Sequence, residues 1–437
     1  MKIVFFPSDS GGGFGHISRC ICLAQEARNK GHEPVFILSD KKFFPKLKSQ
    51  FTTFLIDQKP LVQSIKEKFL QKKPKINNPA TSLFTEFSGL DYQVLRDGLG
   101  SLRIVNYRLK QYEAVIRKIK PDILIADTHM LAGLVGKKLD LPVVQVVRYA
   151  SHPETKGIIW WKTADYECSA PNTAALFNPL LTKLNMPQII KAEELLKGDL
   201  YIVPSIPEIE PIMDQKNLKY VGPLIFKREK EKNKGWGSFV KGNKPLIYIT
   251  IGGGAGLVGS RNFFLTVIEA LRNLDVNVIV STAGKFTLSE LTDIPDNVRF
   301  FDWVPAQEII PQADLVIFHG GYGTMMEAVS CGKPMIIIPF HSEQEGNGRR
   351  LEQLGCAIVL KLSKEDFKII NCKWSYGKYA FLVQNHYDLD PSDLSAAVKK
   401  ILIEEKYKKN SEILKNKISQ YAQAKEALSL IEGFFKG

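Results

Sequence analysis

The amino-acid sequence predicts an α/β protein made of two doubly wound, Rossmann-like domains that face each other across a cleft. Three observations carry this expectation. Short, almost wholly apolar runs recur along the chain, most of them followed by a loop and a helical pattern. Strands that are apolar on both faces are covered by helices on both sides, the mark of a parallel sheet. The runs fall into two series, and 437 residues with 44% hydrophobic content suit two cores of about 200 residues each better than one.

The first series reads "KIVFFPS", "PVFILSD", "FTTFLID", "DILIAD", "PVVQVVR" and "DLYIVPS", and it closes with "KYVGPLIF" at Phe226. Residues 1–226 form the expected first domain. The stretch "KREKEKNKGWGSFVKGNK" is charged, contains glycine and lacks strand pattern, so residues 227–244 read as a linker. A new series starts at Pro245: "PLIYITI", "VNVIVS", "VRFFDWV", "DLVIFHG", "PMIIIPF" and "CAIVLK". Residues 245–437 form the second domain. From Asp393 onward apolar residues recur at helical spacing in "LSAAVKKILIEE" and "AKEALSLIEGFF", helices able to cross back to the first domain. Residues 64–100 are less regular and read as helices or a loop on the first domain. A cleft is expected where the carboxyl ends of the two sheets meet.

The net charge of +13 favours an anionic partner such as a phosphate-bearing ligand or an anionic lipid surface. No long lysine-arginine block with interleaved aromatics marks a nucleic-acid site, and the basic stretches read as a solvated surface. The six cysteines show neither zinc-site nor disulfide spacing and read as buried, reduced thiols of a cytoplasmic protein. "MKIVFF" leads straight into a glycine loop, so no signal peptide is expected. No apolar run approaches the roughly 18 residues that span a bilayer. Any membrane contact is therefore expected to be peripheral, on the inner face.

The chemistry begins at "SGGGFGHISRCICLAQEARNKGH". Gly11, Gly12, Gly13 and Gly15 permit a tight loop and close backbone approach after the first strand, and a helix starts at His16 to Ser18. Amides at a helix start favour an anion or a polar ligand atom. The spacing fits a dinucleotide fingerprint poorly. His16, at the lip of the cleft, can take a proton near neutral pH. Asp127 ends the strand "DILIAD" at the same sheet edge and can orient the imidazole; the plainer alternative is that it caps the next helix. His129 lies near Asp127 with no readable direction.

The second half repeats the arrangement. "FHGGYGTMMEAVSCGKPMIIIPFHSEQEGN" is a second glycine loop between a strand and a helix. Amides of residues 320–324, the Thr324 hydroxyl and His319 can hold a diphosphate, and Glu327 can accept from ribose hydroxyls. Glu343 and Gln344 offer a carboxylate and an amide suited to a sugar's hydroxyls. Met325 and Met326 read as core. Lys285 is a weaker phosphate candidate, and Trp160–Trp161 either line an apolar acceptor pocket or membrane face, or are structural.

On these motifs the chain resembles the GT-B glycosyltransferases of the group that includes UDP-glucosyl- and glucuronosyltransferases and the antibiotic glycosyltransferases. The resemblance spans nearly the whole chain and is strongest over residues 303–347. Glu327 and Glu343 lie eight and twenty-four residues after His319, as in that family. Glu343 stands where the family usually has Asp, Gly323 where Asn is common, and the spacing from Trp303 to His319 is shorter than in the plant branch. His32 falls on the family's second Gly-His and reads as a structural turn.

The resemblance implies an inverting, metal-independent transfer of a hexose from a UDP- or dTDP-sugar to a hydroxyl of a small-molecule or lipid acceptor. It makes His16 the base and Asp127 its partner, with Gly13 and Gly15 on the acceptor-side loop. Gly253, Gly254, Trp303, Val304, Gln307, His319, Gly321, Gly323, Thr324, Glu327, Glu343 and Gln344 then form the donor site. No cofactor is implied beyond the nucleoside diphosphate sugar as co-substrate. The alternatives are a sugar-nucleotide epimerase of the same fold and a non-catalytic sugar-nucleotide or lipid-binding partner of a membrane glycosyltransferase. The intact His16 and Asp127 argue against both.

Overall fold

The computed structural model describes residues 1–437 except 10–12, 61–81, 163–167, 214, 227–234, 238, 241–242, 253–259, 285–290, 292, 365 and 437. The seven runs of the first series become strands of one sheet, and the six of the second become another. The first sheet contains β1 (Lys2–Pro7), β2 (Glu33–Leu38), β3 (Thr52–Leu55), β5 (Ile123–Asp127), β6 (Val143–Val146), β7 (Leu200–Val203) and β8 (Leu218–Tyr220). Its order is β3-β2-β1-β5-β6-β7-β8, parallel throughout.

The second sheet contains β9 (Leu246–Thr250), β10 (Asn277–Ser281), β11 (Val298–Phe301), β12 (Leu315–Phe318), β13 (Met335–Ile337) and β14 (Ala357–Val359). It runs β11-β10-β9-β12-β13-β14, also parallel. Helices cover both faces of each sheet. Their apolar residues form separate clusters on either side, such as Val4, Val35 and Leu124 on one face of the first sheet and Ile3, Phe5 and Phe36 on the other.

In each sheet the strand order reverses once, beside β1 in the first and β9 in the second. The loops leaving the two strands at such a switch point part to opposite faces and open a crevice at the carboxyl edge. Pro7 of β1 pairs with Asp127 of β5, and Thr250 of β9 pairs with Phe318 of β12. The glycine-histidine loop and Asp127 thus share one crevice, and the Gly252 and His319 loops share the other.

A third sheet was not legible from the apolar runs. β15 (Lys368–Trp374) and β16 (Gly377–Gln384) form an antiparallel hairpin, and β16 pairs in turn with β4 (Phe84–Glu86). β15 alternates exposed and half-buried positions from Ile369 to Trp374, so it lacks the continuous apolar run of a strand covered on both faces. Thr85 also bridges to His341, with its N–H donating to the Phe340 carbonyl at 3.0 Å. A strand from the first half is held between two elements of the second.

The tail forms helices Pro391–Ile403, Glu405–Ile418 and Ala424–Lys436. The last returns to the first sheet, where Ala427, Leu428 and Ile431 pack among Ile17, Ile21 and Ala24. His32 sits at this junction, 3.0 Å from the Met1 amino group through Nδ1 and 2.5 Å from Glu432 through Nε2, a structural use that involves a distant helix as well as the local turn. Among the described residues no helix is long and apolar enough to cross a membrane. All six cysteines are free, but only Cys20, Cys22 and Cys356 are buried; Cys168, Cys331 and Cys372 are partly exposed, which corrects the expectation that all are buried.

Candidate active site

Helix Gly15–Asn29 begins at the carboxyl edge of β1, with Phe14 at its N-cap. His16 is on the first turn, and its Nδ1 lies 2.7 Å from Asp127 Oδ1. The aspartate is fully buried and the His16 side chain is 33% exposed, so one side of the ring remains open to the cleft. Thr128, immediately after Asp127, has φ of 53°, a left-handed conformation unfavourable for a β-branched residue. Such strain is commonly retained at functional sites.

Arg19 completes the cluster. It lies three residues after His16, hence on the same face of the helix. Its Nε donates to Asp127 Oδ2 at 2.7 Å and its second terminal nitrogen to Oδ1 at 2.8 Å. Burial pushes the Asp127 carboxyl up, but Arg19 and then His16 more than reverse this and hold it at about 2. The sequence reading missed Arg19, although its spacing from His16 was available.

Around the second crevice His319 is packed between glycines. A Cβ on Gly252 would lie 2.4 Å from its Cε1, and one on Gly321 would lie 2.4 Å from its Nε2. The ring stacks on Phe340 at 6.3 Å and 12°. Gly321 caps helix Tyr322–Ser330, so the free amides of that helix start open beside His319. Gly323 has open space around its Cα, and Thr324 is half-buried on the same turn. Gln307 donates to Glu327 Oε1 at 3.2 Å, which brings two expected donor residues together.

Other expected site residues are placed differently. Val304 is buried in the core, with its N–H donated to Ser281 Oγ at 3.1 Å. Trp303 is 38% exposed at the end of the loop after β11. Gln344 Oε1 accepts the Phe340 N–H at 2.8 Å, and Glu343 pairs with Arg148 of the first domain at 2.7 Å. Gly13 is exposed beside the His16 loop, and Gly15 approaches Arg19. Met325 and Met326 are core residues. His129 Nε2 contacts the Tyr112 hydroxyl at 3.1 Å, and burial pushes its imidazole down to about 3. A Cβ on Gly346 would lie 2.9 Å from the Trp161 ring and 3.4 Å from Trp160 Nε1, and Trp160 also lines a cavity with Arg148 and Glu343. Gly11, Gly12, Gly253, Gly254 and Lys285 lie outside the described residues.

Tyr322 joins the two crevices. Its hydroxyl donates to the Pro204 carbonyl at 2.8 Å, and its ring lies between the guanidinium groups of Arg148, at 4.1 Å, and Arg19, at 5.5 Å. The first residue of the helix beside His319 is therefore fixed against the cluster that holds His16.

This pairing of crevices can be compared with known proteins. Residues 265–376, which include every expected donor residue from Trp303 to Gln344, match the family described as Erythromycin biosynthesis protein CIII-like, C-terminal domain. The chain is 26% identical over 350 residues to the NDP-glycosyltransferase YjiC of Bacillus subtilis (strain 168), covering 79% of this chain and 82% of that protein. The chain has the GT-B fold and is similar in sequence to glycosyltransferases. The fold matches that of CalG4, the calicheamicin glycosyltransferase, with a TM-score of 0.72 at 17% identity over 100% of this chain and 98% of the other. It also matches the spinosyn rhamnosyltransferase SpnG complexed with thymidine diphosphate, with a TM-score of 0.65 at 17% identity over 99% of this chain and 100% of the other.

Proposed function

We propose that the enzyme is an inverting, metal-independent hexosyltransferase that uses a UDP- or dTDP-sugar and acts on a hydroxyl of a small-molecule or lipid acceptor. The observation that carries this reading is the 2.7 Å contact between His16 Nδ1 and Asp127 Oδ1 at the first switch point. An ionised Asp127 accepts the Nδ1 proton and leaves the Nε2 lone pair as the base. As the acceptor oxygen attacks the anomeric carbon, its proton passes to Nε2. The bond from that carbon to the diphosphate breaks in the same displacement, which inverts the configuration. The negative charge that develops on the leaving diphosphate meets the amides before Tyr322, the Thr324 hydroxyl and His319. Among the described residues these groups supply the positive potential asked of a metal ion elsewhere.

The match to SpnG with thymidine diphosphate favours dTDP-sugars among the donors to be tried first. The net charge of +13 keeps a lipid acceptor at an anionic inner membrane face within the proposal. The deciding experiment is a calorimetric panel of UDP-, dTDP- and GDP-sugars, followed by mass spectrometry of products formed in cell extract by wild type and by His16→Ala and NMR of the purified product to read its anomeric configuration. A β-linked product from an α-linked donor that requires His16 supports the reading. Retention of configuration, or full turnover without His16, overturns it.

A further inference from the structure

Asp127 carries more partners than a two-residue base needs. It is fully buried, and its two oxygens receive two hydrogen bonds from Arg19 as well as the contact with His16. Arg19 is itself 6% exposed, and its second terminal nitrogen lies 2.9 Å from His16 Nδ1. A buried carboxylate needs a cation or a proton nearby. Among the described residues, the titratable side chain that remains hydrogen-bonded to Asp127 without Arg19 is His16, which would then answer the charge by holding a proton. A protonated imidazole cannot act as a base.

We infer that Arg19 is a positioning residue of the transfer reaction: it neutralises Asp127 and fixes the carboxylate plane, so that His16 stands ready as an uncharged base oriented through Nδ1. The inference rests on the proposed role of His16. It extends the pair to a His–Asp–Arg cluster in which the arginine touches no substrate.

The other charged or titratable groups facing His16 leave this balance in place. Glu343 acts on it from the second domain but is paired with Arg148 at 2.7 Å. Cys20 and Tyr322 adjoin Arg19, and burial pushes the ionisation of both upward, so both stay neutral. Arg19 and Asp127 thus set the local charge.

The test is the pH dependence of nucleoside diphosphate release from UDP-glucose or dTDP-glucose, with a simple alcohol as acceptor. Wild type, Arg19→Met, Arg19→Lys, Asp127→Asn and the Arg19→Met/Asp127→Asn double variant are compared. Loss of a neighbouring cation should move the acid limb of the rate profile of Arg19→Met up by about 1–2 pH units, with rate regained at high pH. Arg19→Lys keeps the charge without the fork, so its limb should stay near that of wild type while kcat falls. In the Asp127→Asn background, removing Arg19 should move the limb upward by much less, because only the direct contact of Arg19 with His16 Nδ1 at 2.9 Å is then lost. Arg19→Gln replaces Arg19→Met if methionine disturbs folding, judged by calorimetric binding of the free nucleotide. A loss of rate that is equal at every pH, with an unmoved limb, overturns the inference. So does the same upward shift in the presence and absence of Asp127. Activity that survives His16→Ala would instead remove the underlying assignment of the base, so the two failures are distinguishable.

Discussion

Arg148 and Glu343 belong to different domains and share a 2.7 Å ion pair. Burial raises the Glu343 carboxyl, and Arg148 more than reverses the effect, holding it at about 2. The guanidinium is almost buried and the carboxylate is 39% exposed, so Glu343 keeps a face toward the cleft while the other domain braces it. Glu343→Asp and Arg148→Met should both change the ratio of rates between epimeric hexose donors, because specificity depends on holding one carboxylate against particular hydroxyls. Affinity for free UDP or dTDP should change little. Equal losses for all donors together with weaker nucleotide binding would mean that the pair serves only to hold the domains.

The packing of His319 yields a second expectation. Gly252→Ala or Gly321→Ala would drive a methyl group into the ring, and Gly252 also has φ of +70°. Either change should displace the imidazole and weaken nucleotide binding by about 10- to 100-fold. Thr324→Ala and Glu327→Ala should each cost about 1–3 kcal/mol of the same affinity through lost hydrogen bonds. Calorimetry with UDP and dTDP measures all four; unchanged affinity throughout would remove the second crevice as the nucleotide site.

His16→Ala should lower turnover by roughly 10²–10⁴-fold, the usual worth of a positioned general base. Donor affinity should remain near normal. Asp127→Asn should also be slow, and the double variant little slower than the worse single one, since the residues act as a unit. Additive losses in steady-state kinetics would count against a shared role.

The third sheet couples the folding of the two halves. Leu382 of β16 is fully buried, so Leu382→Ala should cost about 2–5 kcal/mol. Wild type should melt in one calorimetric transition, because β4 is paired with strands from the second half. A shortened β15–β16 hairpin should separate the melting into two transitions. A single unshifted transition in that variant would show that the hairpin does not link them.

Asp127 also makes a signed contribution to acid stability. Its folded carboxyl is depressed to about 2 from an ordinary 3.8. The stabilisation is therefore fully present above pH 3.8 and is lost as pH falls through about 2, an effect of about 2 kcal/mol. Asp9, Asp91 and Asp97 act in the opposite direction, since burial raises them and protonation favours their folded forms. The stability difference between wild type and Asp127→Asn, followed by urea unfolding, should hence narrow between pH 4 and pH 2. A difference constant over that range would contradict the depressed carboxyl.

The strands of both large sheets were legible because a strand covered on both faces must be apolar almost throughout, as in "DILIAD" and "PMIIIPF". His16 and Asp127 were legible for a related reason: each stands where such a run meets its loop. β15 was not legible, because its partly exposed face admits Lys368, Asn371 and Lys373. Arg148 directly follows the run "VVQVV", but its partner is 195 residues away, and no local pattern encodes that distance. Val304 was assigned to the ligand on its motif, while the fold uses its side chain in the core and its N–H to hold Ser281.

The return of helix Ala424–Lys436 to the first sheet has a bearing on biosynthesis. Ile17, Ile21 and Ala24 are covered by residues translated only after the whole second sheet. About two hundred residues separate β8 from that helix, which at typical elongation speeds means a delay of roughly 10–40 s. During that interval the nascent first half exposes an apolar stripe on its leading helix.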